Sequence, residues 1–220
     1  MKAIILNASP RKNKNTATLL HEAENGAKEA GAETEYINLV ELNYKGCMSC
    51  FACKLKNNKC LGICAFKDEL RPVLEKIHSA DALIVGSPIY YSNPTGMFRN
   101  LIERLFFPVL RYDSDGHGGA MKYIEKKLNV GLIYTMNVTE EMYEKFNYKP
   151  ILEPDRNMME YYFGHCEVLN SHNTWQFPDY SKYDSSAIDL KSKEWYRDNQ
   201  FPKDKISAFK MGKRLVEKIK

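Results

Sequence analysis

Two stretches of this 220-residue chain are dense in side chains that could do chemistry. The first is a cysteine run. Five of the six cysteines lie between residues 47 and 64. Two residues separate Cys47 from Cys50 and Cys50 from Cys53, and six separate Cys53 from Cys60. Three thiolates at that spacing can wrap one corner of an iron–sulfur cubane, with a fourth arriving from a short loop. Bacterial ferredoxins carry a related run, but there the last cysteine precedes proline, whereas Leu61 follows Cys60 here. A zinc site built from four cysteines usually pairs two such units placed far apart. A loop of free thiols is the third reading, and spacing alone leaves all three open. Cys64 reads as a spare thiol, a substitute fourth ligand or part of the core. Cys166 reads as a buried small hydrophobe.

The second stretch is residues 4–17. Ile4, Ile5 and Leu6 form a short apolar run of the kind a central parallel strand needs. Residues 7–16 then offer hydroxyls, amides and the Arg11 guanidinium. Asn15 or Thr16 can cap a helix, and a helix start attracts phosphate through its free N–H groups and its dipole. Two further loops also follow apolar strands. Pro88, Ile89, Tyr90, Tyr91, Ser92 and Asn93 combine backbone groups for a heteroaromatic edge with aromatics for a ring face. Thr135, Met136 and Asn137 form the third loop.

The elements that must position these loops alternate. Strands are expected near 4–6, 33–39, 82–86, 128–134 and 165–169. A helix over 16–30 carries Leu20, Ala23, Ala27 and Ala30 on one stripe and stops at Gly31. A second follows Asp68 as N-cap, and a third starts with Asn93 as N-cap and Pro94 in its first turn. Helix is expected over much of 139–162, broken near Pro150 or Pro154. The last helix, about 203–219, turns Ile206, Phe209, Val216 and Ile219 inward. Residues 46–66, 107–127 and 170–200 show no regular period. His21 and His78 read as surface or cap residues. The alternation predicts one α/β domain over residues 1–220 built on a parallel sheet, with ligands at the carboxyl ends of its strands.

Composition narrows the partners. A net charge of +4 without a long basic run gives no nucleic-acid signature. No apolar stretch approaches a membrane span of about 20 residues, and the first apolar run is too short for a signal peptide. A cytoplasmic protein is expected.

Asn7-Ala8-Ser9-Pro10-Arg11-Lys12-Asn13-Lys14-Asn15-Thr16-Ala17 resembles the phosphate loop of the flavodoxin-like, NAD(P)H-dependent FMN reductase superfamily. Gly86-Ser87-Pro88-Ile89-Tyr90, with Met97 and Arg99, resembles its second signature. Ala8 and Lys14 depart from positions where that group often has glycine. The resemblance, which covers residues 1–138, implies a doubly wound five-stranded parallel sheet in the order 2-1-3-4-5. It implies FMN, with its phosphate on Ser9, Arg11, Asn15, Thr16 and Ala17. The isoalloxazine would then lie against residues 88–93 and 135–137. No separate catalytic side chain is needed, because the flavin carries the redox step. A dinucleotide fingerprint of the G-x-G-x-x-G type is absent from the first loop.

The cysteine run is similar to the compact motif of the iron–sulfur flavoproteins, a branch of that superfamily. This likeness implies a 4Fe–4S cluster on Cys47, Cys50, Cys53 and Cys60, with NAD(P)H or ferredoxin as donor and a small molecule as acceptor. A homodimer or homotetramer is implied as well. The rival readings are a cluster-free NAD(P)H-dependent quinone or nitro reductase and a plain flavin electron carrier.

Overall fold

The computed structural model of the protein describes residues 1–56, 62–111 and 126–217. Five strands lie parallel: β1 (Lys2–Asn7), β2 (Glu33–Asn38), β3 (Ala82–Tyr90), β5 (Leu128–Thr135) and β6 (Gly164–Ser171). A two-residue strand, β4 (Asn93–Pro94), pairs antiparallel with the end of β3. Among the described residues the sheet therefore has six strands, in the order β2-β1-β3-β5-β6 with β4 beside β3. The expected five parallel strands are present. The expected count and numbering are corrected by the β3–β4 hairpin.

Both faces of the sheet are covered, which is why its central strands are apolar throughout. Ala3, Ile5, Ala82, Ile84 and Ile133 face α1 (Asn15–Glu29) and α7 (Phe201–Glu217). Ile4, Leu6, Leu83, Val85, Leu132 and Tyr134 face α2 (Leu70–Ser79), α3 (Gly96–Phe106) and α5 (Lys149–Phe163). The short α4 (Glu140–Lys145) precedes α5. Among the described residues no helix is long and apolar enough to cross a membrane.

Helices α1 and α7 meet backbone to backbone. A Cβ on Gly26 would lie 1.9 Å from the Phe209 carbonyl oxygen, and one on Gly212 would lie 1.9 Å from that of Ala23. The inward stripe of α7 is thus Asp204, Ala208, Met211, Gly212, Leu215 and Val216, at spacings of three and four. Ile206, expected inside, is 55% exposed, because it lies off this stripe. Phe209 is half-buried, and Ile219 lies outside the described residues.

Three helix starts differ from expectation. Lys14 takes the N-cap position of α1 without a side-chain bond, so neither Asn15 nor Thr16 caps it. At α3 the cap is Thr95, whose hydroxyl accepts from the Phe98 N–H (3.3 Å) and donates to the Ala8 carbonyl (2.7 Å). Pro94 is consequently drawn into β4. At α2 the N-cap position is Glu69 rather than Asp68, although Asp68 Oδ1 still accepts from the Leu70 N–H at 3.2 Å. The break between α4 and α5 falls before Pro150, at Asn147 with φ +53°, and Pro154 lies inside α5. Residues 190–200 are helical: α6 (Leu190–Trp195) runs through a π-turn into α7. In α6 only Lys193 is buried, so no apolar stripe exists to reveal its period.

His78, expected at the surface or as a cap, has its Nδ1 sealed from solvent without a hydrogen-bond partner. Burial pushes its pKa down to about 4. The unfolded chain takes up this proton near pH 6.5, the folded chain only near 4. Falling pH therefore favours unfolding across that window, by about 1 kcal/mol per pH unit. His172, also pushed down by burial, acts in the same direction. We expect urea unfolding midpoints to fall between pH 7 and 5, and His78→Gln to flatten that slope. Equal slopes for the two proteins would refute the assignment.

Candidate functional site

Beside the carboxyl ends of β1, β3 and β5 lies a cleft of ≈320 Å³. The adjacent central strands β1 and β3 lead in opposite directions across the sheet, the switch point where such sheets bind ligands. Arg11 supplies one wall. Pro88, Ile89 and Tyr90 supply the second, and Thr135, Met136 and Asn137 the third. The three loops singled out in the sequence therefore converge on one cavity.

The first loop is internally braced. Asn7 Oδ1 accepts from the Ser9 N–H (3.0 Å), and Ser9 Oγ accepts from the Arg11 N–H (3.1 Å). Gly86 lets α1 approach β3, since a Cβ there would meet Thr16 and Leu20 at 2.8 Å. The Thr16 and Thr135 hydroxyls share a buried hydrogen bond of 2.7 Å, which locks the first loop to the third. As the first residues of α1, Asn15, Thr16 and Ala17 have N–H groups with no intrahelical acceptor. Ser9, Thr16 and Ala17 are buried behind the cleft wall.

The second loop is a hairpin. Tyr91 and Ser92 both adopt positive φ, +47° and +67°, between the paired residues Tyr90 and Asn93. Two-residue hairpins favour this conformation, yet it normally recruits Asn and Gly. Tyr91 is fully exposed, and Asn93 Nδ2 donates to the Tyr91 carbonyl (3.2 Å). Tyr91, Ser92 and Asn93 form the tip beyond the cleft, so only Pro88, Ile89 and Tyr90 of residues 88–93 line it.

A fourth wall was not anticipated. After β6 the chain crosses back over the third and first loops, and Thr174, Gln176 and Phe177 close the cleft. The Thr174 N–H donates to the Met136 carbonyl (3.0 Å). Arg11 Nη1 donates to the Gln176 carbonyl (2.7 Å), and Asn15 Nδ2 to that of Trp175 (2.8 Å). Two side chains assigned to a phosphate thus also hold this strap. Buried Lys193 fixes its base, donating to Asn173 Oδ1 (2.9 Å) and the Thr174 carbonyl (3.1 Å). Phe177 stacks on Tyr183 at 4.2 Å. On the strap's other side, Asn13, Lys14 and Asn15 help line a second pocket of ≈270 Å³. The only sequence signal for the strap was its aromatic content, which equally suited packing on α7.

The cysteine loop packs against the far end of α3. Cys47, Cys50, Cys53 and Cys64 line one concavity with Phe66, Glu103, Arg104 and Phe107. Gly46 lies hard against Asn100 and Glu103, and the Cys47 N–H donates to Glu103 Oε2 (3.0 Å). Lys54 donates to the carbonyls of Phe107 (2.5 Å), Pro108 (3.1 Å) and Leu110. Cys47 and Cys50 are exposed, whereas Cys53 is buried. Burial pushes the Cys53 thiol up, Lys54 pulls it down, and Cys64 and Cys50 push it up again. Among the described residues no three metal-ligating side chains are gathered into a formed site. Cys60 lies outside the described residues. Cys166 is buried in β6, and burial lifts its pKa to about 12, as a packed apolar thiol requires.

Residues 1–123 match the sequence model of the NADPH-dependent FMN reductase family. Among curated proteins, an iron–sulfur flavoprotein of Archaeoglobus fulgidus is 42% identical over 104 residues, 47% of this chain and 48% of the relative. The iron–sulfur flavoprotein MJ1083 of Methanocaldococcus jannaschii is 36% identical over 104 residues, 47% and 51% of the two chains. The matched region spans about half the length of these curated relatives. Among solved structures, the NAD(P)H:quinone oxidoreductase of Methanothermobacter marburgensis aligns over 98% of both chains with a TM-score of 0.70 and 16% identity. An FMN-dependent NADH-azoreductase from Bacillus anthracis, solved with FMN, covers 98% of this chain and 99% of its own (TM-score 0.64, 12% identity). At such identities these structures establish the shared fold alone.

Proposed function

The chain belongs to the NADPH-dependent FMN reductase family, and we propose that it is an FMN-dependent oxidoreductase of the iron–sulfur flavoprotein type. The observation that carries the flavin is the convergence of the first, second and third loops on one cleft at the switch point. The donor set fits FMN. Arg11 and the free N–H groups opening α1 suit a phosphate. Ile89 offers apolar surface and Tyr90 an aromatic face for a ring, and Thr135 and Asn137 offer polar groups for a heteroaromatic edge. When bound, the flavin accepts two electrons together and can release them singly. The chain's own task is to hold that ring, keep water off one face with the strap, and leave the other side open at Tyr90.

The cysteine concavity suits a one-electron centre, because thiolates are the preferred ligands of iron–sulfur clusters. Cys47, Cys50 and Cys53 would supply three of them, and the family resemblance gives the fourth place to Cys60. Helix α3 begins beside the cleft at Thr95 and reaches the concavity at Arg104. At 1.5 Å per residue that is about 14 Å of rigid helix between the two sites. NAD(P)H or ferredoxin would serve as donor and a small molecule as acceptor, in a cytoplasmic homodimer or homotetramer. The fully exposed Tyr91 and the exposed Met48 and Phe51 offer apolar surface near both sites for such an assembly.

Anaerobic purification followed by flavin, iron and turnover assays tests this reading. We expect FMN with about four irons per flavin, and turnover with NAD(P)H or reduced ferredoxin and a quinone. Protein without flavin would sink the proposal. Flavin with turnover but no iron would reduce it to a cluster-free reductase, and flavin without turnover to an electron carrier.

A further inference from the structure

We infer that Lys193 is the electrostatic partner of the flavin ring, a buried cation behind the third loop that favours the negative charge the ring gains on reduction. This rests on the FMN reading above and adds the residue that sets how strongly the site favours reduction. Lys193 is 2% exposed and lies on α6, outside all three loops. Its Nζ donates to Asn173 Oδ1 (2.9 Å) and to the Thr174 carbonyl (3.1 Å), and both acceptors are neutral. Burial alone moves its pKa, down to about 8, so no carboxylate answers the charge. The buried carboxylate at the start of α7, Asp204, is taken up by Ser171 Oγ (2.6 Å) and Gln200 Nε2 (2.8 Å). The oxygens that Lys193 holds belong to the cleft wall. Thr174 lines the cleft, and its N–H (3.0 Å) and hydroxyl (3.2 Å) both donate to the Met136 carbonyl. The Asn173 N–H donates to the Val138 carbonyl (2.8 Å). The ammonium therefore sits one residue behind the junction of strap and third loop. Arg11 is argued above to take the phosphate, so the two cations serve different parts of one ligand.

The chemistry agrees with the position. A buried ammonium held only by neutral oxygens costs stability, because its charge is desolvated without a counter-ion. The same low dielectric lets that charge act at a distance on an anion in the cleft. A flavin that takes a hydride from NAD(P)H accepts two electrons and one proton. The ring then gains one negative charge, and the donor leaves as NAD(P)⁺. Charge near the ring is one of the levers by which a protein tunes a flavin's electronics. Unit charges roughly 10 Å apart, at an effective dielectric of about 20, change a binding constant roughly tenfold.

The midpoint potential of bound FMN is measured anaerobically in the full chain, by equilibration with a dye of known potential. Affinity for oxidised FMN is measured alongside it. We expect Lys193→Met to lower the potential by about 30 mV, a tenfold loss of preference for the reduced flavin. Asn173→Asp keeps an acceptor for Lys193 but sets a carboxylate against the ammonium, and should lower the potential as well. This second variant decides the matter if Lys193→Met fails to fold. If Lys193 only supports the strap, oxidised and reduced FMN weaken together. The preference then stays within about twofold of the parent, roughly 10 mV. That result in either folded variant overturns the inference. A parent that binds no FMN overturns the flavin reading itself, an outcome distinct from a potential that does not move.

Discussion

Arg104→Ala should destabilise the protein by about 3–5 kcal/mol, the cost of leaving one partner of a buried ion pair alone. The Arg104 side chain is 1% exposed. It donates to both Asp68 carboxylate oxygens, to the Lys45 and Phe66 carbonyls and to Cys64 Sγ. All of its donor nitrogens are therefore used, and the partners come from both ends of the cysteine loop and the start of α2. Removing it strands the Asp68 charge and unties both ends of the loop. Arg104→Lys keeps the charge but not the fork, so an intermediate loss is expected. Replacing both partners, as in Arg104→Met with Asp68→Leu, should recover much of the loss, because a pair of apolar groups leaves no buried charge unpaired. Urea unfolding of the two single variants and the double variant checks this. A single variant within 1 kcal/mol of the parent, or a double variant no better than either single, would refute the clamp.

The clamp also shows where the sequence stopped being informative. The central strands, α1 and the three loops were legible because each is a local pattern: an apolar run, a 3.6-residue stripe, a polar turn after a strand. Arg104 looked like one more charged residue on an amphipathic helix. Its burial follows from the path of a loop that shows no period of its own. The strap at Thr174–Phe177 is illegible in the sequence for a similar reason. Its bonds run from Arg11 and Asn15 to backbone carbonyls some 160 residues away, and carbonyls carry no residue identity. Hydrophobicity alone marks Ile206 as inward on α7, yet it is exposed. That face is instead set by Gly212, which admits the α1 backbone at Ala23, and by Gly26 of α1, which admits the α7 backbone at Phe209. Asn93-Pro94 is a stronger local helix-start signal than Thr95. It lost to the hairpin pairing and to the bond from Thr95 to Ala8 across the switch point.

The largest effect on ligand binding is expected at Arg11. It is the sole charged side chain lining the cleft among the described residues. Nη1 is engaged by the Gln176 carbonyl, which aims the guanidinium while leaving it donors for an anion. A charge-assisted hydrogen bond contributes about 1.5–3 kcal/mol, so Arg11→Ala should weaken FMN binding roughly 10- to 100-fold. Loss of the strap anchor adds to this by loosening Gln176 and Phe177 over the cleft. Arg11→Lys should retain the salt dependence of binding and lose part of the affinity, since an ammonium cannot hold the carbonyl and an anion in one plane. Riboflavin, which lacks the phosphate, separates the two contributions. If Arg11 recognises phosphate, the parent should prefer FMN over riboflavin and Arg11→Ala should lose most of that preference. If it acts only through the strap, both flavins should weaken equally. Fluorescence titration of the apoprotein with each flavin reads out the difference. FMN affinity within threefold of the parent in Arg11→Ala would remove this residue from the site.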